Sequence, residues 1–95
     1  MSKLNCDEVL IILQEECAEV IQIISKIHRF GLYNYNPVSD EYNDELLHKE
    51  VGDLLCIIDL CIKKKILREE DLIFHHEQKL EKLKKWSNIN NEPKN

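Results

Sequence analysis

Two glycines and two prolines serve a chain of 95 residues, too few to punctuate the tight turns that an all-β fold of this length needs. Leu, Ile, Glu and Lys dominate instead, and 43% of the side chains are hydrophobic while 33% are charged. The chain is therefore expected to be all-α. Its length supports one hydrophobic core, so residues 1–87 are assigned to a single helical domain and 88–95, rich in Asn, to a disordered tail. A helical chain this small buries only about 60% of the surface exposed by its unfolded form, which makes shared burial between subunits the default expectation.

Three helices and one loop follow from the pattern. Asn5, with Glu8 three residues on, reads as an N-cap and partial capping box for a helix over 6–30, which Gly31 stops. Its apolar residues Leu10, Leu13, Cys17, Val20, Ile21, Ile24 and Ile27 recur at spacings of three and four, and Val9, Ile11, Ile12 and Ile23 widen the stripe. A stripe so broad implies contact on two sides. Residues 32–43 are polar and aromatic, contain Pro37 and carry no helical period, so they read as the one sizeable loop. Asn43 reads as the cap of a second helix over 44–64, with Asp44 and Glu45 at its positive end and Lys63, Lys64 and Lys65 at its negative end. A third helix over 69–87 opens on Glu69, Glu70 and Asp71, closes on Lys82, Lys84 and Lys85, and sets Ile73, His76, Leu80 and Leu83 in a seam.

Charge narrows the partners. A net charge of −5 disfavours a nucleic-acid backbone as the partner of the whole surface. The apolar windows at 9–13 and 20–24 are broken by Gln14, Glu15, Glu16 and Glu19, far short of the roughly 20 apolar residues of a membrane span. The N-terminus lacks the basic-then-apolar order of a secretory signal, and the expected location is cytoplasmic. Cys6, Cys17, Cys56 and Cys61 lie among Leu, Ile and Val with no CxxC pair, and are expected as reduced core residues.

The informative side chains are carboxylates among apolar residues. Neighbours on a helix lie three and four residues apart, so Glu16 adjoins Ile12, Leu13, Glu19 and Val20, and Glu50 adjoins Leu46, Leu47, Asp53 and Leu54. Each helix thus carries an acid pair at i and i+3, Glu16 with Glu19 and Glu50 with Asp53, beside a surface that must face another helix. Two like charges about 4 Å apart repel by roughly 4 kcal/mol at an effective dielectric of 20. No Lys or Arg stands three or four residues from Glu16, and only Lys49 and Lys26 lie near the other acids. A divalent cation is the economical counter-charge, and all-oxygen ligation favours Mg²⁺ or Mn²⁺. A solvated face is the ordinary reading of one such acid pair; two pairs flanked by leucines leave two readings side by side, a carboxylate metal site and an interaction module whose acids lie at the edge of its helix seams.

The string Glu15-Glu16-Cys17-Ala18-Glu19, followed by Glu50-Val51-Gly52-Asp53-Leu54-Leu55, resembles the EExxE and ExxD motifs of the MazG-like all-α nucleoside triphosphate pyrophosphohydrolases. The resemblance extends through Ser25-Lys26, Arg29-Phe30-Gly31 and Lys79 to Trp86, covering most of 8–87, with a slightly longer gap between the motifs that falls in the loop. It implies a MazG-like helical bundle completed by oligomerisation, as a homodimer or homotetramer, and hydrolysis of a (d)NTP to the (d)NMP and pyrophosphate with Mg²⁺. By position, Glu16, Glu19, Glu50 and Asp53 would ligate metal. Glu15 and Glu19 would serve catalysis, with Glu15 binding a further ion or orienting the attacking water. Two other readings stand beside it: a phosphoribosyl-ATP pyrophosphohydrolase-like enzyme, and a non-catalytic helical interaction module whose acids meet a basic partner.

Further residues have paired readings. Lys26, Arg29 and Lys79 can reach phosphate oxygens or simply be solvated. Gly52, inside the second helix, serves either close helix packing or clearance beside metal and phosphates. Tyr33, Tyr35 and Tyr42 can stack on a base or pack as a lid. Glu45 and His48 match half of a di-iron motif but point away from Glu50 and Asp53, and His76 reads as a core or subunit-contact histidine.

Overall fold

The structure, a computed structural model, describes residues 3–86, with side chains described from residue 6. It is mostly helical: α1 (Lys3–Phe30), β1 (Tyr35–Asn36), β2 (Glu41–Tyr42), α2 (Asn43–Lys63) and α3 (Glu69–Trp86) follow in order. The tail 88–95 lies outside the described residues. No helix among the described residues is long and apolar enough to cross a membrane.

The helix α1 already runs through Asn5, so the expected cap there is not formed. Asn is only modestly unfavourable inside a helix, and Lys3 and Leu4 carry the turn through it. At the other end Gly31 adopts φ +102 and its N–H donates to the Ile27 carbonyl at 2.7 Å, the left-handed stop that glycine reaches without a Cβ penalty.

Among the covered positions, Val9, Leu13, Glu16, Val20, Ile23 and Ile27 on α1 recur in alternating steps of four and three, and Asn43, Leu47, Glu50, Leu54, Ile57 and Cys61 on α2 recur in the same steps. This is the heptad seam of a helix pair. Asn43 touching Gly31 at one end, and Glu50 approaching Glu16 farther along, make the two helices antiparallel. Cys61 is fully buried and burial pushes its thiol up, whereas Cys17 and Cys56 are exposed, so only one of the four free thiols sits in the core of the chain itself.

The loop is more ordered than its composition implies. The strands β1 and β2 pair antiparallel, Tyr35 with Tyr42 and Asn36 with Glu41. The Asn36 side-chain oxygen accepts the Val38 N–H at 2.9 Å, and the Asp40 N–H donates to the Asn36 carbonyl at 2.8 Å, closing the turn. Tyr35 donates its hydroxyl to Asp40 and meets the Tyr42 ring edge-on at 5.4 Å. Asn43 is the first residue of α2 and not its cap; Tyr42 takes that place, its N–H donating to the Glu45 carboxylate at 2.9 Å. Asn43 ties the hairpin to α1 instead. Its N–H donates to the Asn34 carbonyl and its side-chain amide to the Gly31 carbonyl, both at 2.9 Å.

The α2 helix ends in a Schellman motif. Lys65 takes φ 63, its N–H donates to Ile62, and Ile66 donates to Cys61. Beyond it α3 has no buried residue, and of the seam drawn through Ile73, His76, Leu80 and Leu83 the first three are exposed, Ile73 at 56% and Leu80 at 42%, while Leu83 is half-buried. The molecule is only 17 Å thick in its smallest dimension, between one and two helix diameters at about 10 Å each. One face of α1 is closed by α2; the other, with Leu10, Ile21 and Ile24, stays open, as does Leu55 on α2.

Asn43 is 2% exposed, and its side-chain bond satisfies the carbonyl that ends α1. Asn43→Ala is expected to lower the unfolding free energy by about 1–3 kcal/mol, read from a denaturant titration followed by circular dichroism.

Candidate metal centre

The seam places two of the four expected acids at positions where an apolar side chain would ordinarily sit. Glu16 and Glu50 are half-buried within it, and Asp53, one turn beyond Glu50, is exposed at its edge. One carboxylate oxygen from each lies within 4.8 Å of the others. Oxygens on a single ion stand at most twice the metal–oxygen distance apart, about 4.2 Å for Mg²⁺ and about 5 Å for Ca²⁺. A trio within 4.8 Å falls inside the Ca²⁺ span as it stands and has to draw in by a few tenths of an ångström to hold Mg²⁺, and its all-oxygen chemistry suits a hard ion.

The electrostatics carry the mark of this crowding. Burial first, then the charges of Asp53, Glu50 and Glu19, push the Glu16 carboxyl above the usual range, while Lys49 pulls it back. Lys49 stands 3.5 Å from Glu50 and 3.8 Å from Asp53. Those two carboxylates hold its ammonium charged beyond the ordinary lysine range. The lysine is 59% exposed, and it faces two of the three acids, leaving Glu16 without a close cation of its own among the described residues.

Glu19 does not join the trio. It lines a shallow groove with Gln22, Ile23, Lys26, Leu46 and Glu50, a helical turn along α1. Glu15 is exposed and lies in neither the trio nor the groove, since one helical step turns it by about 100° from Glu16. Lys26, half-buried, lines the groove and also a neighbouring cavity of about 240 Å³ formed with Arg29, Phe30, Asn34, Tyr35, Asn36, Pro37 and Asn43. The Arg29 guanidinium sits over the Phe30 ring, 5.3 Å from its centre. Lys79 is exposed on α3 and lines neither feature.

The structure narrows the reading of Gly52 and agrees with that of Glu45 and His48. A Cβ built on Gly52 meets nothing within 4 Å, so this glycine serves no close packing inside the chain. It borders an open groove with Leu55, Cys56 and Leu60, flanked by Asp59 and Lys63. His48 donates its Nδ1–H to the Asp44 carbonyl at 2.8 Å and Glu45 caps α2, which uses both members of the half di-iron motif locally. The cavity was not legible from motif spacing. Its signal was the run of asparagines around Tyr35, whose side-chain bonds are visible only once the hairpin forms.

Compared with protein-family models, curated proteins and solved structures, the chain matches none.

The carboxyl of Glu16 loses its proton near 4.5 in an unfolded chain and at a higher pH in the folded one. Its contribution to stability is fully present below the lower value and is lost as pH rises through the upper one. In chelator, Glu16→Gln is expected to melt above the wild type at neutral pH, with the gap closing as pH falls toward 4.5. Thermal melts between about pH 4 and 8 check this.

Proposed function

We propose that the protein is a Mg²⁺-dependent nucleoside triphosphate pyrophosphohydrolase of the MazG-like kind that its motifs resemble, cleaving a (d)NTP to the (d)NMP and pyrophosphate. The observation that carries the reading is the meeting of Glu16, Glu50 and Asp53 within 4.8 Å across two helices. Those three would hold the ion, Mg²⁺ or Mn²⁺, which when bound neutralises phosphate charge and acidifies water. Glu19, which lines the neighbouring groove, would accept the proton of the attacking water. Water adds at phosphorus, the bridging P–O bond breaks, and pyrophosphate leaves. Lys26 and Arg29 supply donors for phosphate oxygens. Glu15 and Lys79 lie outside this arrangement within a single chain. Such an enzyme would work in the cytoplasm on the nucleotide pool.

One observation favours the non-catalytic alternative. Lys49 already answers Glu50 and Asp53, as a basic group on a partner would. Pyrophosphate release separates the two. The wild type is expected to release pyrophosphate from at least one member of a (d)NTP panel only with Mg²⁺ or Mn²⁺, and Glu50→Gln is expected to lower that rate by about 10²-fold or more with helicity unchanged. Activity confined to phosphoribosyl-ATP would assign the related reaction, and a silent panel would remove the enzyme assignment.

The working form is a homodimer or homotetramer. A layer 17 Å thick leaves Ile21 67% and Leu55 55% exposed, and burial of such faces at about 25 cal/mol per Å² drives association. Light scattering on a sizing column is expected to give at least twice the chain mass of 11.3 kDa, with Leu55→Glu shifting the population toward monomer.

A further inference from the structure

We infer that the cavity between the end of α1 and the hairpin binds the nucleoside part of the substrate, the base lying against Phe30 and Tyr35 with its edge read by Asn34. The inference rests on the nucleotide reading above and adds what that reading leaves open, the place and means of base recognition.

Size and continuity support it. About 240 Å³ is below the roughly 300–1,000 Å³ of pockets that enclose a whole drug-sized ligand. It suits a ring and part of a sugar, with the phosphates continuing outside. Lys26 lines both this cavity and the groove that holds Glu19 and Glu50. The seven residues from Glu19 to Lys26 span about 10 Å of helix axis. A nucleoside seated here therefore sends its phosphate past Lys26 toward the carboxylates.

The walls offer the chemistry of base recognition. Phe30, 59% exposed with the Arg29 guanidinium over one face of its ring, and Tyr35, 43% exposed, stand beside the cavity, and an aromatic face accepts any base. Tyr35 is held in place by Asp40 and by the edge of Tyr42, so its orientation is set before a ligand arrives. Three side-chain amides line the cavity, and two are already used: Asn36 by Val38 and Ser39, Asn43 by Gly31. The Asn34 side chain has no hydrogen-bond partner among the described residues. An amide presents a donor and an acceptor together, which matches the paired groups on a base edge.

The test uses the whole chain, in chelator, with CMP, UMP, AMP and GMP as probes. The expected result is a set of backbone amide NMR shifts grouped at Phe30, Asn34, Tyr35 and Asn36, a graded affinity across the four, and a changed ranking in Asn34→Asp. Phe30→Leu is expected to weaken all four by roughly tenfold, the loss of one stacking platform. Absent shifts, equal affinity for all four, or an unchanged ranking in Asn34→Asp would overturn the inference. Because these bindings need neither metal nor turnover, they separate it from the catalytic reading. Graded binding without pyrophosphate release would keep the cavity and remove the enzyme, whereas release with a base preference indifferent to Asn34→Asp would do the reverse.

Discussion

Repulsion among Glu16, Glu50 and Asp53 is the constraint around which the chain is organised. Two of these carboxylates occupy heptad positions where leucine or isoleucine would add burial, and their approach within 4.8 Å sets like charges against each other in a partly desolvated seam. Hydrophobic contact above and below must overcome that, and the flanking positions are supplied accordingly: Leu13 and Val20 on α1, Leu47 and Leu54 on α2. Lys49 relieves part of the strain from the rim. A core built only for stability would have filled the seam with aliphatic side chains.

The same constraint explains why the loop is anchored so firmly. Antiparallel helices bring their acids level only when the connection between them has a fixed length and entry angle. Asn43 supplies that, joining the last carbonyl region of α1 to the first turn of α2 through its backbone and its amide. Gly31 and the paired strands complete the corner.

Much of this arrangement is written in residue spacing, and part of it is not. The 3.6-residue period of α1, the charged ends of α2 and α3, and the i,i+3 acid pairs identify the helices and three of the acids that meet. Spacing along one helix cannot say how far a second helix is rotated, and that rotation is what separates Glu19 from the trio, whereas Glu15 turns outward by its own helical step from Glu16. Asn5 and Asn43 both look like caps, because capping is read from residue type, whereas whether a helix begins there depends on the neighbouring turn and on tertiary bonds. The hairpin escapes notice since two-residue strands have no period to detect. Lys65 in a left-handed conformation is equally silent: lysine carries no preference for it, and the Schellman bonds impose it.

The hairpin tip satisfies its own backbone. Val38 and Ser39 bond to Asn36, Asp40 closes on the same residue, and Val38 is 95% exposed. Lengthening or recolouring that tip would leave the helical rods undisturbed, so sequence drift can remodel one wall of the neighbouring cavity while the acidic trio keeps its geometry. The strand pairs and Asn43 hold the length and angle of the corner, so a lineage of such chains is free to diversify at the tip beyond them.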